Sequence, residues 1–198
     1  MTTVAEHYEN HLAPVYLWMA GGFDTAISRG EREINAICLN PSNGLSAVDL
    51  GAGFGMHSIP LARRGYSVVA IDSSPKLLDA LREHVGTLPI QTVEDDLLAF
   101  PKHLNMKAHL ILCMGDRLTH LPDPKSVDQL FSLVAELLHP GGSFTTITVT
   151  LCLTSRFNSV KYATAVLESS QTTTAMGSGF RVATGRVNLL RFCIICIP

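Results

Sequence analysis

Three alternating glycines follow an acid in the stretch Ala47-Val-Asp-Leu-Gly-Ala-Gly-Phe-Gly55. Glycine at every second position removes the side chains that would hold a ligand away from the backbone, and the helix expected next offers N–H groups to a negative group. An apolar strand, an acid and this loop together indicate a site for a nucleoside-bearing cofactor. The spacing differs from the dinucleotide fingerprint Gly-x-Gly-x-x-Gly, because the third glycine comes one residue early.

Acids at the ends of the next two predicted strands would complete this site. Asp72 ends the second strand, 19 positions after Gly53, where a carboxylate can accept both hydroxyls of a ribose. The acidic run Glu94-Asp95-Asp96 follows the third strand, and an acid there could accept from the amino group of adenine. The alternative for this run is a solvated turn whose carboxylates cap a helix.

The elements that must hold these residues are predicted from apolar runs that alternate with amphipathic segments. This alternation is typical of a parallel sheet wound with helices. Cap residues mark two helix starts, at Ser74-Pro75 and Asp123-Pro124, and the second of these helices is expected to stop at Pro140. The predicted strands are Leu45–Leu50, Ser67–Ile71, Pro89–Val93, Leu110–Met114 and Ser143 to about Leu151.

Composition excludes several classes of protein. A chain of 198 residues with 46% hydrophobic residues predicts one domain with a substantial core. No apolar run reaches the roughly 18 residues of a membrane span, so we expect a cytoplasmic protein without a membrane partner. The net charge of −2 argues against nucleic-acid binding and favours a small-molecule substrate. The pair Cys193-x-x-Cys196 lacks the further ligands of a metal site, so no metal is expected.

The single domain is expected to have three parts: residues 1–44, 45–152 and 153–198. The first part, rich in aromatic residues, is either a lid over the cofactor or a packed helix, and the second is the cofactor-binding core. The tail from residue 151 carries five basic residues and one acidic residue. Lys161–Leu167 and Val187–Ile197 within it could form an antiparallel hairpin, with residues 172–179 as a loop. The alternative is an altered terminus that does not belong to the domain.

The order of these segments resembles the successive motifs of the class I methyltransferases that use S-adenosyl-L-methionine (SAM). The block Cys113-Met-Gly-Asp-x-Leu-Thr-His120, with Trp18-Met-x-Gly-Gly22 upstream, is similar to a bacterial subgroup of methyltransferase-domain proteins. The resemblance covers residues 1 to about 147 and departs from the family at His109, where an aspartate is usual. It implies a Rossmann-like, doubly wound α/β sheet, mostly parallel, with SAM as cofactor. The matching segments are Val48–Gly55, Asp72, Asp96, Leu110–Asp116 and Leu138–Gly142.

The resemblance also assigns roles to single residues. The glycine loop would cradle the methionine part of SAM, the acid ending the second strand would hold the ribose, and Asp96 with Leu97 would read adenine. Met114 and Gly115 would line the cofactor near the fourth strand, and two N-terminal aromatic residues would close over it. The implied cofactor-binding residues are Tyr16, Trp18, Asp49, Gly51, Ala52, Gly53, Phe54, Gly55, Asp72, Ser73, Asp95, Asp96, Leu97, Met114 and Gly115.

Methyl transfer from SAM needs little acid–base help, because the sulfonium already activates the methyl group. The protein mainly holds the acceptor in line and excludes water. For an acceptor that carries a proton, Asp116 and His120 are the candidate catalytic residues, and an α-helix would place them on one face. The alternatives are a cap for Asp116 and a packed residue for His120. His57, His103 and His139 are expected to be ordinary surface or helix-end residues.

Three functions stay open at this point. The first is a small-molecule methyltransferase, and the second is a non-catalytic SAM-binding or interaction module with an altered tail. The third, a nicotinamide-dependent oxidoreductase, is disfavoured by the glycine spacing and by the lack of a downstream Tyr-x-x-x-Lys pair. The sequence does not indicate the methyl acceptor, the atom methylated or the oligomeric state.

Overall fold

The computed structural model describes residues 13–37, 44–148, 161–167, 186–187 and 190–196. The chain divides into two compact units after His103. The interpretation of residues 1–198 as one domain stays a prediction. The elements of the first unit, in chain order, are α1 (Ala13–Met19), α2 (Phe23–Ala36), β1 (Ser46–Leu50), α3 (Ser58–Arg63), β2 (Ser67–Asp72), α4 (Pro75–Val85), β3 (Ile90–Glu94) and a 3-10 helix (Leu97–His103).

The strands of the first unit form a parallel arrangement in which β2 pairs with both β1 and β3. Leu50 lies opposite Ile71, and Asp72 lies opposite Glu94, so the carboxyl ends of the three strands share one edge. The predicted start of α4 is confirmed, because the Ser74 hydroxyl accepts from the N–H of Leu77 at 3.3 Å. This cap fixes where the chain turns from β2 into the helix.

The second unit combines parallel and antiparallel pairing. Strand β4 (Ala108–Cys113) pairs in parallel with β5 (Leu138–Thr148). Strand β5 pairs antiparallel with β6 (Lys161–Leu167), which in turn pairs antiparallel with β8 (Leu190–Cys196). The predicted antiparallel hairpin of the tail is therefore present in the backbone. The elements are β4 (Ala108–Cys113), a 3-10 helix (Asp116–His120), α5 (Pro124–Leu137), β5 (Leu138–Thr148), β6 (Lys161–Leu167), β7 (Arg186–Val187) and β8 (Leu190–Cys196).

Helix α5 begins where the sequence predicts but ends three residues earlier than expected. Asp123 caps it by accepting from the N–H of Ser126 at 2.8 Å. At the other end Leu138 is already extended, with φ −73° and ψ 136°. Pro140 disfavours the α conformation at the residue before it, His139, and the chain is already extended one residue earlier.

Parts of the sequence interpretation fall outside the described residues. The loop predicted at 172–179, the far end of the fifth strand near Leu151 and the first twelve residues of the N-terminal segment belong to this group. The side chains of Cys193 and Cys196 also lie outside what the structure describes. Among the described segments, every helix is too short or too polar to cross a bilayer.

Candidate functional site

Asp72 is the residue that ties the glycine loop to the neighbouring strand. Its side chain is 1% exposed, and it is the last residue of β2. One carboxylate oxygen accepts from the N–H of Gly53 at 2.8 Å, and the other accepts from the N–H of Ser74 at 2.9 Å. The predicted ribose acid and the predicted loop are thus joined. Ser73, which lies between two of these residues, is exposed at the start of the following turn.

Asp49 lies in β1, on the other side of the glycine loop from Asp72 along the chain. It is 1% exposed, and one of its oxygens accepts from the Ser58 hydroxyl at 2.6 Å. Since Ser58 is the first residue of α3, this bond joins the end of β1 to the start of the helix that follows the loop. Both predicted acids of this region therefore hold backbone segments that flank the glycines.

The backbone N–H groups of the loop donate to protein acceptors. Gly51 and Ala52 both donate to the carbonyl of Ile71, at 2.8 and 2.9 Å. Gly53 donates to Asp72, and Gly55 donates to the carbonyl of Ala52 at 3.0 Å. The helix after the loop has six residues. The loop N–H groups at these four positions are therefore used within the protein, while the expectation of N–H donors at the start of the following helix stays a prediction.

The third glycine has a packing role that the sequence did not indicate. Gly55 has φ +90°, and a β-carbon built on it would lie 2.3 Å from Cδ1 of Leu81 on α4. Gly51 and Gly53 also have positive φ, 74° and 56°. A side chain at Gly55 would meet both a buried leucine and a backbone conformation that L residues rarely adopt.

Aromatic residues of the N-terminal helices pack on the loop. The ring of Phe54, 2% exposed, lies 5.9 Å from that of Tyr16 and 6.3 Å from that of Phe23. Trp18 is 81% exposed. The interpretation of α1 as a packed helix thus holds for Tyr16, while closure over the cofactor by Tyr16 and Trp18 stays a prediction.

The acids after β3 have partners within the first unit. The N–H of Asp95 donates to the Asp72 carbonyl at 3.2 Å, which places the two strand ends together. Nε2 of His103 donates to Asp95 at 2.8 Å. This hydrogen bond, followed by one from the N–H of Asp96, lowers the pKa of Asp95. Asp96 accepts from the N–H of Leu98 at 2.8 Å, so it caps the 3-10 helix that begins at Leu97.

The remaining predicted residues belong to the second unit. Met114, 4% exposed, follows β4, and Gly115 with φ +73° opens the 3-10 helix that holds both candidate catalytic positions. Positions three apart share a face in a 3-10 helix, so positions 116 and 120, which are four apart, do not. The shared face expected for Asp116 and His120 required an α-helix, and their catalytic roles stay predictions.

Two histidines regarded as ordinary have defined partners. His57 is 7% exposed, and its Nε2 donates to Glu33 on α2 at 2.7 Å. His139 stacks on His109 with ring centroids 4.8 Å apart. Sequence patterns within one element carry no signal for contacts between side chains 24 positions apart, such as the first of these.

Comparison with known proteins decides the family. Residues 47–142 match the family model described as a methyltransferase domain. This segment belongs to the class I SAM-dependent methyltransferases. The matched segment thus contains the glycine loop, Asp72 at the end of β2, the acids Asp95 and Asp96 after β3, and the chain through the start of β5.

Two curated relatives show how far the sequence similarity extends along the chain. The chain is 36% identical over 108 residues to a ubiquinone biosynthesis O-methyltransferase of Xylella fastidiosa, covering 52% of this chain and 41% of that one. It is 29% identical over 131 residues to the mitochondrial enzyme of the same description from Schizosaccharomyces pombe, covering 65% and 46%. The chain thus spans less than half the length of these curated relatives.

The fold of this methyltransferase domain agrees with that of solved structures. Magnesium protoporphyrin IX methyltransferase from Synechocystis PCC 6803, solved with bound SAM, is similar with a TM-score of 0.59 and 17% identity, over 98% of this chain and 93% of that one. The prediction of a Rossmann-like α/β fold with a mostly parallel sheet is confirmed.

The residues of the loop fit SAM better than a dinucleotide. A pyrophosphate is normally held by N–H donors of such a loop, and here four of these donors are used within the protein. Two buried acids, Asp49 and Asp72, flank the same loop. An acid at the end of β2 also occurs in dinucleotide sites, so the use of the N–H donors within the protein is what disfavours a pyrophosphate.

Proposed function

We propose that this methyltransferase domain binds SAM at the shared carboxyl edge of β1, β2 and β3 and transfers its methyl group to a hydroxyl of a small molecule. The observation that carries the proposal is the hydrogen bond from the N–H of Gly53 to Asp72 at 2.8 Å. This contact supports Asp72 as the acceptor for the ribose hydroxyls, because its carboxylate lies at the glycine loop. The hydroxyl as acceptor follows from the curated relatives, which are described as O-methyltransferases.

The roles of the chain's own residues follow from their contacts. A carboxylate has about four acceptor positions, so Asp72 can hold the loop and accept from ribose hydroxyls together. Asp95, held by His103 at 2.8 Å, is oriented beside the end of β2, where it can accept from the adenine amino group. Bound SAM would supply the activated methyl group. Asp116 and His120 remain our candidates for orienting the acceptor or taking its proton, and this assignment comes from the sequence alone.

The wider setting is also proposed. The net charge of −2 gives no general attraction to a nucleic-acid backbone, which supports a small-molecule acceptor. A cytoplasmic location completes the proposal and is supported by the sequence only.

Calorimetric titration of the full chain with S-adenosylhomocysteine (SAH) and separately with NAD tests the cofactor. We expect binding of SAH and no heat with NAD, and binding of NAD alone would refute the proposed site. Labelled SAM is then incubated with small phenols, aliphatic alcohols, amines and thiols. Label on a hydroxyl compound supports the proposal, whereas label on amines alone would contradict the hydroxyl assignment. SAH binding without transfer to any acceptor would favour a non-catalytic SAM-binding module.

A further inference from the structure

One face of α2 contacts the end of the glycine loop. Nη of Arg29 donates to Sδ of Met56 at 3.1 Å, and Nε2 of His57 donates to Glu33 at 2.7 Å. Between these contacts, a β-carbon built on Gly30 would lie only 1.9 Å from the carbonyl oxygen of Met56. The helix backbone and the loop backbone therefore meet with no space for a side chain at this position.

We propose that Glu33 is a positioning residue that acts through His57 to hold the glycine loop in its SAM-binding shape. The inference deepens the proposed function and rests on it. His57 is buried at the last residue of the turn that follows the glycines. Its carbonyl accepts from the N–H of Leu61 at 3.0 Å, which begins the hydrogen bonding of α3. A ring fixed by Glu33 thus fixes both the end of the loop and the start of the helix.

The loop is held at both ends by charged or polar side chains from other elements. Asp72 holds Gly53 from β2, and Glu33 holds His57 from α2. Only three residues lie between the two anchored positions along the chain. A shift of His57 cannot be absorbed over so short a segment, so it must alter the backbone around Gly53 and Gly55. A cofactor that lies directly on this backbone is sensitive to such a shift.

The proximity of Arg29 strengthens this arrangement. Its Nε lies 3.7 Å from the second carboxylate oxygen of Glu33. Glu33 is one helical turn further along α2 than Arg29. The carboxylate is thereby oriented between a guanidinium on its own helix and the imidazole of the loop. Since the Glu33 side chain is 19% exposed and that of His57 is 8% exposed, the hydrogen bond between them is largely shielded from water.

The test compares Glu33→Ala, Glu33→Gln and the control Glu31→Gln in the full chain. Glu31 lies on the same helix and pairs at 2.9 Å with Arg63, and both side chains are about half exposed. SAH affinity is measured by calorimetry, well below the unfolding temperature of each variant. We expect Glu33→Ala to weaken SAH binding about tenfold, Glu33→Gln about threefold, and Glu31→Gln by less than about 1.5-fold. Amide exchange at Gly53 and Gly55 should quicken in the two Glu33 variants only.

Each outcome has a distinct meaning. If the wild-type chain does not bind SAH, the proposed function fails together with this inference. If the wild-type chain binds but folded Glu33→Gln and Glu33→Ala bind with unchanged affinity and unchanged amide exchange at the glycines, the inference is overturned and the proposed function stands. If Glu33→Ala does not fold, Glu33→Gln decides, because it keeps the side-chain shape and an acceptor oxygen and loses only the charge.

Discussion

Replacing Asp72 by asparagine tests the bond that joins the loop to β2. The carboxylate accepts the N–H of Gly53 with one oxygen and that of Ser74 with the other. An amide has one acceptor oxygen, so one of these N–H groups would face an NH₂ group instead. The side chain is 1% exposed, so the N–H that faces the amide NH₂ group would be buried without its acceptor.

The size of the effect follows from these two hydrogen bonds. A buried N–H left without an acceptor costs about 1–3 kcal/mol. The surviving bond loses its charge assistance, which roughly halves its strength and adds about 1 kcal/mol. We expect Asp72→Asn to lower the free energy of unfolding by about 2–4 kcal/mol and to weaken SAH binding by about 10–100-fold, since a ribose acceptor is lost with the loop anchor.

Urea unfolding followed by circular dichroism measures the stability, and calorimetry with SAH measures the affinity at a temperature where the variant is folded. The control is Asp79→Asn on α4, whose exposed carboxylate pairs with Arg82 at 2.6 Å. A surface pair of this kind contributes about 0–1 kcal/mol, so neither measurement should change much. A folded Asp72→Asn variant that binds SAH within about twofold of wild type would refute the role given to Asp72.

Two further predictions concern the first unit. Gly55→Ala should lower the free energy of unfolding by about 2–4 kcal/mol in thermal unfolding, because its β-carbon meets Leu81 at 2.3 Å as well as an unfavourable φ. Gly86→Ala is the control, because Gly86 has positive φ but open space around the added β-carbon, so its free energy of unfolding should fall by only about 1 kcal/mol. Equal losses of stability in the two variants would contradict the packing argument. His103→Gln should raise the pKa of Asp95 toward its ordinary value, as read by NMR titration of that carboxyl. Because the native pKa is lowered, the pair stabilises the fold above the unfolded pKa of about 4 and loses this contribution as the pH falls through the native value; an unchanged Asp95 titration would show that His103 is not the cause.

Local chemistry explains which parts of the fold were predictable. The starts of α4 and α5 follow from Ser74 and Asp123, because a cap bonds to an N–H three residues later in the same segment. The end of α5 was misplaced because Pro140 was used as the stop signal, whereas proline already restricts the residue before it and the chain is extended from Leu138. The strands of the first unit were placed within one or two residues because their apolar runs are bounded by glycine and proline signals.

The candidate site was also predictable only in part. The glycine run and the acid that ends β2 were visible because each belongs to one short motif. The hydrogen bond from His57 to Glu33 and that from His103 to Asp95 join different elements, and only the folded chain shows them. The close approach at Gly30 was equally hidden, since a glycine within an amphipathic helix gives no indication of what packs against it.

The glycine spacing was a weaker argument for SAM than the hydrogen bonds are. The third glycine comes one residue earlier than in a dinucleotide motif, yet Gly55 still has a packing role, against Leu81. What separates the two cofactor classes is the use of the loop's N–H donors. A loop whose donors at Gly51 and Gly53 bond to Ile71 and Asp72 has none at those positions for a pyrophosphate. The acid that ends β2 does not separate the two classes, because dinucleotide sites carry one at the same place, so the loop's used N–H donors are the observation that favours SAM.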